Sequence, residues 1–138
     1  MKVHTTNYLN TFIEIAEDCP TGAGEMPVAK GDAQTAATIQ FEKIKANPYK
    51  YTSDDVLFHT FAVKKDLTDA EMEAERTLFF SKGQPCFRAS PLTKRYGWGI
   101  HNDAEGKIAI FAADSEAYQR LAADKTLAHV KAMRSKKA

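Results

Sequence analysis

The chain reads as an α+β protein: a single two-layer domain, with an antiparallel or mixed sheet of about five strands and three helices. Three observations predict this. Its 138 residues, 43% hydrophobic and 27% charged, suit one globular core. The apolar pattern switches between strand alternation and helical spacing, and helix caps punctuate it, giving the order β-α-β-α-β-β-α-β. No repeat, low-complexity tract or linker divides residues 1–138. The last six elements spell the split βαβ arrangement of ferredoxin-like folds.

Thr11–Ala16 (TFIEIA) alternates and is rich in β-branched residues, which predicts a strand. Residues 19–31 are thick with Gly and Pro and predict a loop. Asp32 is placed to cap a helix whose apolar face is Ala37, Phe41 and Ile44, ending near Asn47 before Pro48. Asp55–Val63 (DVLFHTFAV) is apolar on both faces and reads as a central strand. The next helix opens on a Thr68–Glu71 capping box with Leu67 stapled onto Met72, and Gly83 is placed to close it.

Gly97–Asn102 and Lys107–Ala113 predict a hairpin around Asp103–Gly106. A four-residue loop would set Trp98 opposite Phe111 and Gly99 opposite Ile110. Trp98 and Ile100 would then share one face, with Gly97, Gly99 and His101 on the other. Asp114 or Ser115 caps a helix bearing Tyr118 and Leu121, and Ala128, Val130 and Ala132 alternate as an edge strand.

Composition excludes several classes. No apolar run reaches membrane-spanning length, and the MKVHTTNYLNTF start lacks a secretory signal, so a cytoplasmic protein is expected. Cys19 and Cys86 are distant in sequence, a usage that fits reduced thiols rather than a disulfide. Neither they nor His4, His59, His101 and His129 have ligand-like spacing, so no metal is expected, and no motif implies a cofactor. Charge is uneven: residues 1–78 carry 8 Lys/Arg against 13 Asp/Glu, and residues 79–138 carry 11 against 5. The basic half includes the tail Lys131, Arg134, Lys136 and Lys137. Such asymmetry fits an anion-binding face, or two faces of opposite sign that neutralise one another.

The chemistry-bearing residues gather between Ser81 and Asp103, a stretch with little periodicity over its first half. Irregular segments inside compact domains are often functional. Arg88, Lys94 and Arg95 supply cations suited to phosphate or carboxylate, and Tyr96 and Trp98 add aromatic surface. With His101 they form the candidate ligand site, for an anionic small molecule. The bland alternative pairs these cations with carboxylates such as Asp54 and Asp55. A pI of 7.8 argues against nucleic acid. Gly97 and Gly99 beside His101 leave room either for a ligand or for a closely packed helix.

Cys86 is the candidate nucleophile, a thiol flanked by Arg88 and Lys94 and expected near His101 in space, although Pro85 and Phe87 give it the setting of a small buried hydrophobe. Tyr49, Tyr51, Thr52, Ser53, Asp54 and Asp55 form a second polar-aromatic cluster, which reads equally as a hydrogen-bonded turn.

The segments HTTNYLNTFIEIAEDCP, PYKYTSDDVLF, FFSKGQPCFRASPLTKRYGWGIHND and KAMRSKK resemble a family of small uncharacterised bacterial proteins, a domain of unknown function. The resemblance spans nearly the whole chain. It implies a single-domain cytoplasmic bacterial protein and carries no activity or site residues. Three functions therefore stand: a small-ligand or partner-binding domain using residues 84–101, an enzyme using Cys86 or His101, and an interaction module that self-associates through a sheet edge.

Overall fold

The computed structural model describes residues 4–28 and 34–135. The architecture is α+β, built on one four-stranded mixed sheet. In chain order the elements are β1 (Thr11–Glu14), α1 (Ala36–Ala46), α2 (Ser53–Lys65), α3 (Asp69–Phe79), a 3-10 turn (Phe87–Ala89) and α4 (Pro91–Lys94). They continue with β2 (Trp98–Asn102), β3 (Ile108–Ala112), α5 (Glu116–Ala123) and β4 (Ala128–Lys131).

The sheet order is β3-β2-β1-β4. β1 runs antiparallel to β2 and parallel to β4, so β4 is an edge strand, as its short alternation predicted. β2 and β3 form the expected hairpin, with the register moved by one residue: Asn102 pairs with Ile108, Trp98 with Ala112 and Gly99 with Phe111. The cause is a longer connection. Asp103 bonds back to the Lys107 carbonyl at 2.9 Å, and its carboxylate accepts the Glu105 and Lys107 N–H groups, so Lys107 belongs to the turn.

The main correction concerns Asp55–Val63, which is the body of helix α2 and not a strand. Thr52 caps it: its hydroxyl accepts the Asp55 N–H at 3.2 Å, and Asp55 accepts the Thr52 N–H at 3.1 Å. Its apolar residues surround the axis because two clusters flank it. Val56 and Leu57 pack with the sheet, while Phe58, Phe61 and Ala62 pack with Phe79 and Phe80 of the α3 region. A helix apolar all round is a buried helix. Without this strand the split βαβ arrangement is lost, and the sheet has four strands, not five. Five helices stand among the described residues, where three were expected; α2 is one addition and the single turn α4 the other.

α1 keeps its predicted apolar face, with Ala37, Phe41 and Ile44 buried, and ends at the Asn47 cap. Thr35 caps its start, whereas the expected cap Asp32 lies outside the described residues. α3 begins at Thr68 as expected, with the Glu71 carboxylate accepting both the N–H and the hydroxyl of Thr68 at 2.9 Å. Those bonds hold the fully exposed Glu71 carboxyl below its usual range. Leu67 and Met72 pack on one cluster, as a staple would. The helix closes at Phe80 instead of Gly83. Ser115 caps α5 by accepting the Tyr118 N–H at 3.1 Å.

The main core fills the side of the sheet bearing Ile13, Trp98, Ile100, Ile108 and Ile110, against Phe41, Ile44, Val56, Phe87 and Leu92. A smaller cluster of Phe12, Ala113 and Tyr118 covers the opposite side under α5. There the Tyr118 hydroxyl accepts the Ile15 N–H at 3.0 Å and ties α5 to the end of β1. No described helix is long and apolar enough to cross a membrane.

Candidate functional site

The segment after α3 is less irregular than its sequence suggests. Phe87 and Leu92 are buried in the main core and anchor it. Ser90 then caps α4 by accepting the Leu92 N–H at 3.1 Å, and Pro91 occupies the first helical position, where a missing N–H costs nothing. Thr93 is fully buried, and its hydroxyl donates to the Phe87 carbonyl at 2.6 Å. This corner sets Lys94 and Arg95 beside the start of α1, with Tyr96 half-buried against the main core.

These three residues line a hollow of about 320 Å³ with Thr35, Ala36, Ala37, Ala89 and Pro91. Lys94 is half-buried and Arg95 exposed. Neither forms an ion pair among the described residues, and the first turn of α1 carries no acidic side chain. Two uncommitted cations thus share a concavity with the positive end of an eleven-residue helix.

Pairing with Asp54 and Asp55, the alternative reading, is not what the structure shows. Asp54 accepts the Thr5 hydroxyl and both the N–H and hydroxyl of Thr6, each at 2.7 Å. Asp55 binds Arg76 at 2.9 Å.

The other expected site residues lie elsewhere. Arg88 donates through Nε to the Lys131 carbonyl at 2.7 Å, and its own carbonyl accepts the Met133 N–H at 2.7 Å, so it fastens the end of β4. Trp98 is a core residue. It meets Phe41 edge-on, with ring centroids 5.2 Å apart, and donates Nε1–H to the Glu25 carbonyl at 2.8 Å. His101 points to the opposite side of the sheet, where Nδ1 lies 2.8 Å from the Tyr49 hydroxyl. Burial holds its pKa below the ordinary histidine value, against the pull of Asp103 and Asp124.

Cys86 and Cys19 are both free thiols. The Cys86 Sγ stands 3.5 Å from the Tyr8 hydroxyl at the edge of a largely apolar cavity of about 240 Å³. Burial, then the contact with Cys86, pushes the Tyr8 hydroxyl above its usual pKa. That cavity also holds Gln40, 4% exposed, which accepts the Ser90 hydroxyl at 2.7 Å. Cys86 and His101 have separate partners and are not brought together as an acid–base pair.

Thr35–Ala37 were missed as site residues in the sequence, because the α1 start was placed at Asp32. Thr35 with Thr38 three residues on was the available signal.

A family model matches residues 3–138. The chain belongs to DUF6157, a family of unknown function. No curated protein and no solved structure matches it. Membership of DUF6157 agrees with the resemblance carried by the motifs above. Two of those motifs meet at the Tyr8–Cys86 contact, and the longest supplies the α4 corner.

Proposed function

We propose that this chain is a small cytoplasmic binding protein for an anionic small molecule, held in the hollow formed by Lys94, Arg95, Tyr96 and the first turn of α1. The observation that carries the reading is that Lys94 and Arg95 face a concavity at a helix N-terminus without a carboxylate partner among the described residues. Backbone N–H groups at the start of α1, a guanidinium fork and an ammonium together suit a phosphoryl or carboxylate group. The Tyr96 ring adds an apolar wall. The site residues are therefore Lys94 and Arg95 as charge partners and Tyr96 as a packing surface. Arg88, Trp98 and His101 support the fold around them.

The sheet edge gives less support to self-association. β4 is short and largely exposed and ends in Lys131, which pairs with Glu17 at 3.3 Å, and such edges discourage strand addition. A thermal-shift screen of nucleotides, phosphorylated metabolites and organic acids tests the binding reading, because a ligand of the folded state raises the unfolding temperature. An anion that stabilises the wild type and loses its effect in Arg95→Ala supports the site. No stabilising anion, or stabilisation that survives in Arg95→Ala, overturns it.

A further inference from the structure

We infer that the cavity walled by α1, α2 and α3 is a second binding site, one that takes a small aromatic carboxylic acid. At about 530 Å³ it is larger than the hollow at α4, and it falls within the range of small-molecule clefts. Its position follows from α2 being a helix: Asp55, Phe58, His59 and Ala62 recur on one face, opposite Met72, Glu73 and Arg76 of α3.

The polar groups of the cavity sort by whether they already have partners. Arg76 is committed, since its guanidinium holds Asp55 at 2.9 Å and lies 5.7 Å from the Phe58 ring centroid. The pair is neutral and presents a flat surface over an aromatic ring. Lys43 is uncommitted: its Nζ stands 4.3 Å from the Tyr51 ring centroid, and no carboxylate pairs with it among the described residues. His59 also makes no hydrogen bond among the described residues, and burial followed by the Lys43 charge lowers its pKa. The His59 imidazole thus lines the same cavity as an ammonium with no carboxylate partner among the described residues, and together they suit a carboxylate.

Glu73 on the α3 wall repels such a group and orients it toward α1. The ligand's body would then lie against Met72 and the Arg76 guanidinium over Phe58, where sulfur and guanidinium contacts favour an aromatic group. This site shares no lining residue with the hollow at Lys94 and Arg95.

Phenylacetate is a direct probe, followed by calorimetry and by the His59 imidazole resonances. It should bind saturably and shift the His59 signals. Lys43→Gln, a change at a half-buried position, should weaken binding about tenfold or more, as should the uncharged probe phenylacetamide. His59→Gln, which keeps an N–H donor, should weaken it less. Arg95→Ala should leave phenylacetate affinity within about twofold, because distant sites act independently. Four results overturn the proposal: no saturable binding of phenylacetate or indole-3-acetate, equal binding of phenylacetamide, affinity unchanged in a folded Lys43→Gln, or loss of binding in Arg95→Ala.

Discussion

Tyr118 of α5 closes directly over Gly99 of β2. A Cβ on Gly99 would stand 2.6 Å from Tyr118 Cε2 and 2.7 Å from Phe12 Cζ. Gly99 therefore makes room for a helix rather than a ligand, which resolves the two readings of a glycine beside His101. Phe12 and Tyr118 meet edge-on, with ring centroids 5.0 Å apart, and fill the space a side chain would need.

Gly99→Ala should accordingly lower stability by about 1–3 kcal/mol, the usual cost of overpacking a filled interior. Urea denaturation checks the value. A stability loss below the error of the extrapolation would contradict the packing argument.

Asp55 should contribute stability in a pH-dependent way. Burial pushes its carboxyl up, but hydrogen bonds from Thr52 and the Arg76 guanidinium outweigh this and hold the pKa below its ordinary value. A carboxyl depressed on folding stabilises the protein above its unfolded pKa, and the gain disappears as pH falls through the lower folded value. Asp55→Asn should cost a few tenths to about 1 kcal/mol at pH 7, because the pair is partly exposed. The difference from wild type should shrink as the pH falls below the unfolded value. Unfolding midpoints measured across acid and neutral pH decide this; a gap that persists unchanged in acid contradicts it.

Arg88 should act on β4 and not on ligand binding. Arg88→Ala removes the bond to the Lys131 carbonyl, for which a loss of about 1 kcal/mol is expected at an exposed position. Hydrogen exchange should quicken at the β4 amides, while affinity for an anion at the α4 hollow stays unchanged. Loss of anion binding in a stably folded Arg88→Ala would return Arg88 to the site.

Cys86 should be shielded but reachable, since its thiol is half-buried beside Tyr8. Alkylation should be slower in the folded chain than in the denatured one, and Tyr8→Phe should slow it further by about twofold or more, as the thiolate loses a hydrogen-bond donor. Labelling unaffected by the Tyr8 substitution would remove the Tyr8 hydroxyl as an influence on the thiol.

The local signals of the chain were legible where one residue type has one role. The Thr68–Glu71 box, the Ser115 cap, the hairpin and the β4 alternation all reappear, as do opposite faces for Trp98 and His101. The failure at Asp55–Val63 has a physical cause. α2 lies between two apolar clusters, so Val56, Phe58, Thr60 and Ala62 are all buried, and this period of two imitates a strand. The Thr52–Asp55 capping box was the contrary signal, but it reads as a turn when taken alone. Misreading α2 also concealed the cavity between α1 and α3. Within the site, charge type pointed to Lys94 and Arg95, whereas which cations keep free ends depends on contacts made by the main chain of β4.

The central claim is the anion site at Lys94 and Arg95. Its most direct test is calorimetric titration of wild type and Arg95→Ala with the anion that most stabilises the wild-type chain, at low and moderate salt. We expect Arg95→Ala to lose about 1–2 kcal/mol of binding, with an unchanged unfolding midpoint, because the exposed guanidinium has no ion-pair partner among the described residues. Wild-type affinity should fall as salt rises, since exposed charges are screened over about 8–10 Å. Equal affinity in both proteins, or a stability loss in Arg95→Ala without a binding defect, would contradict the account.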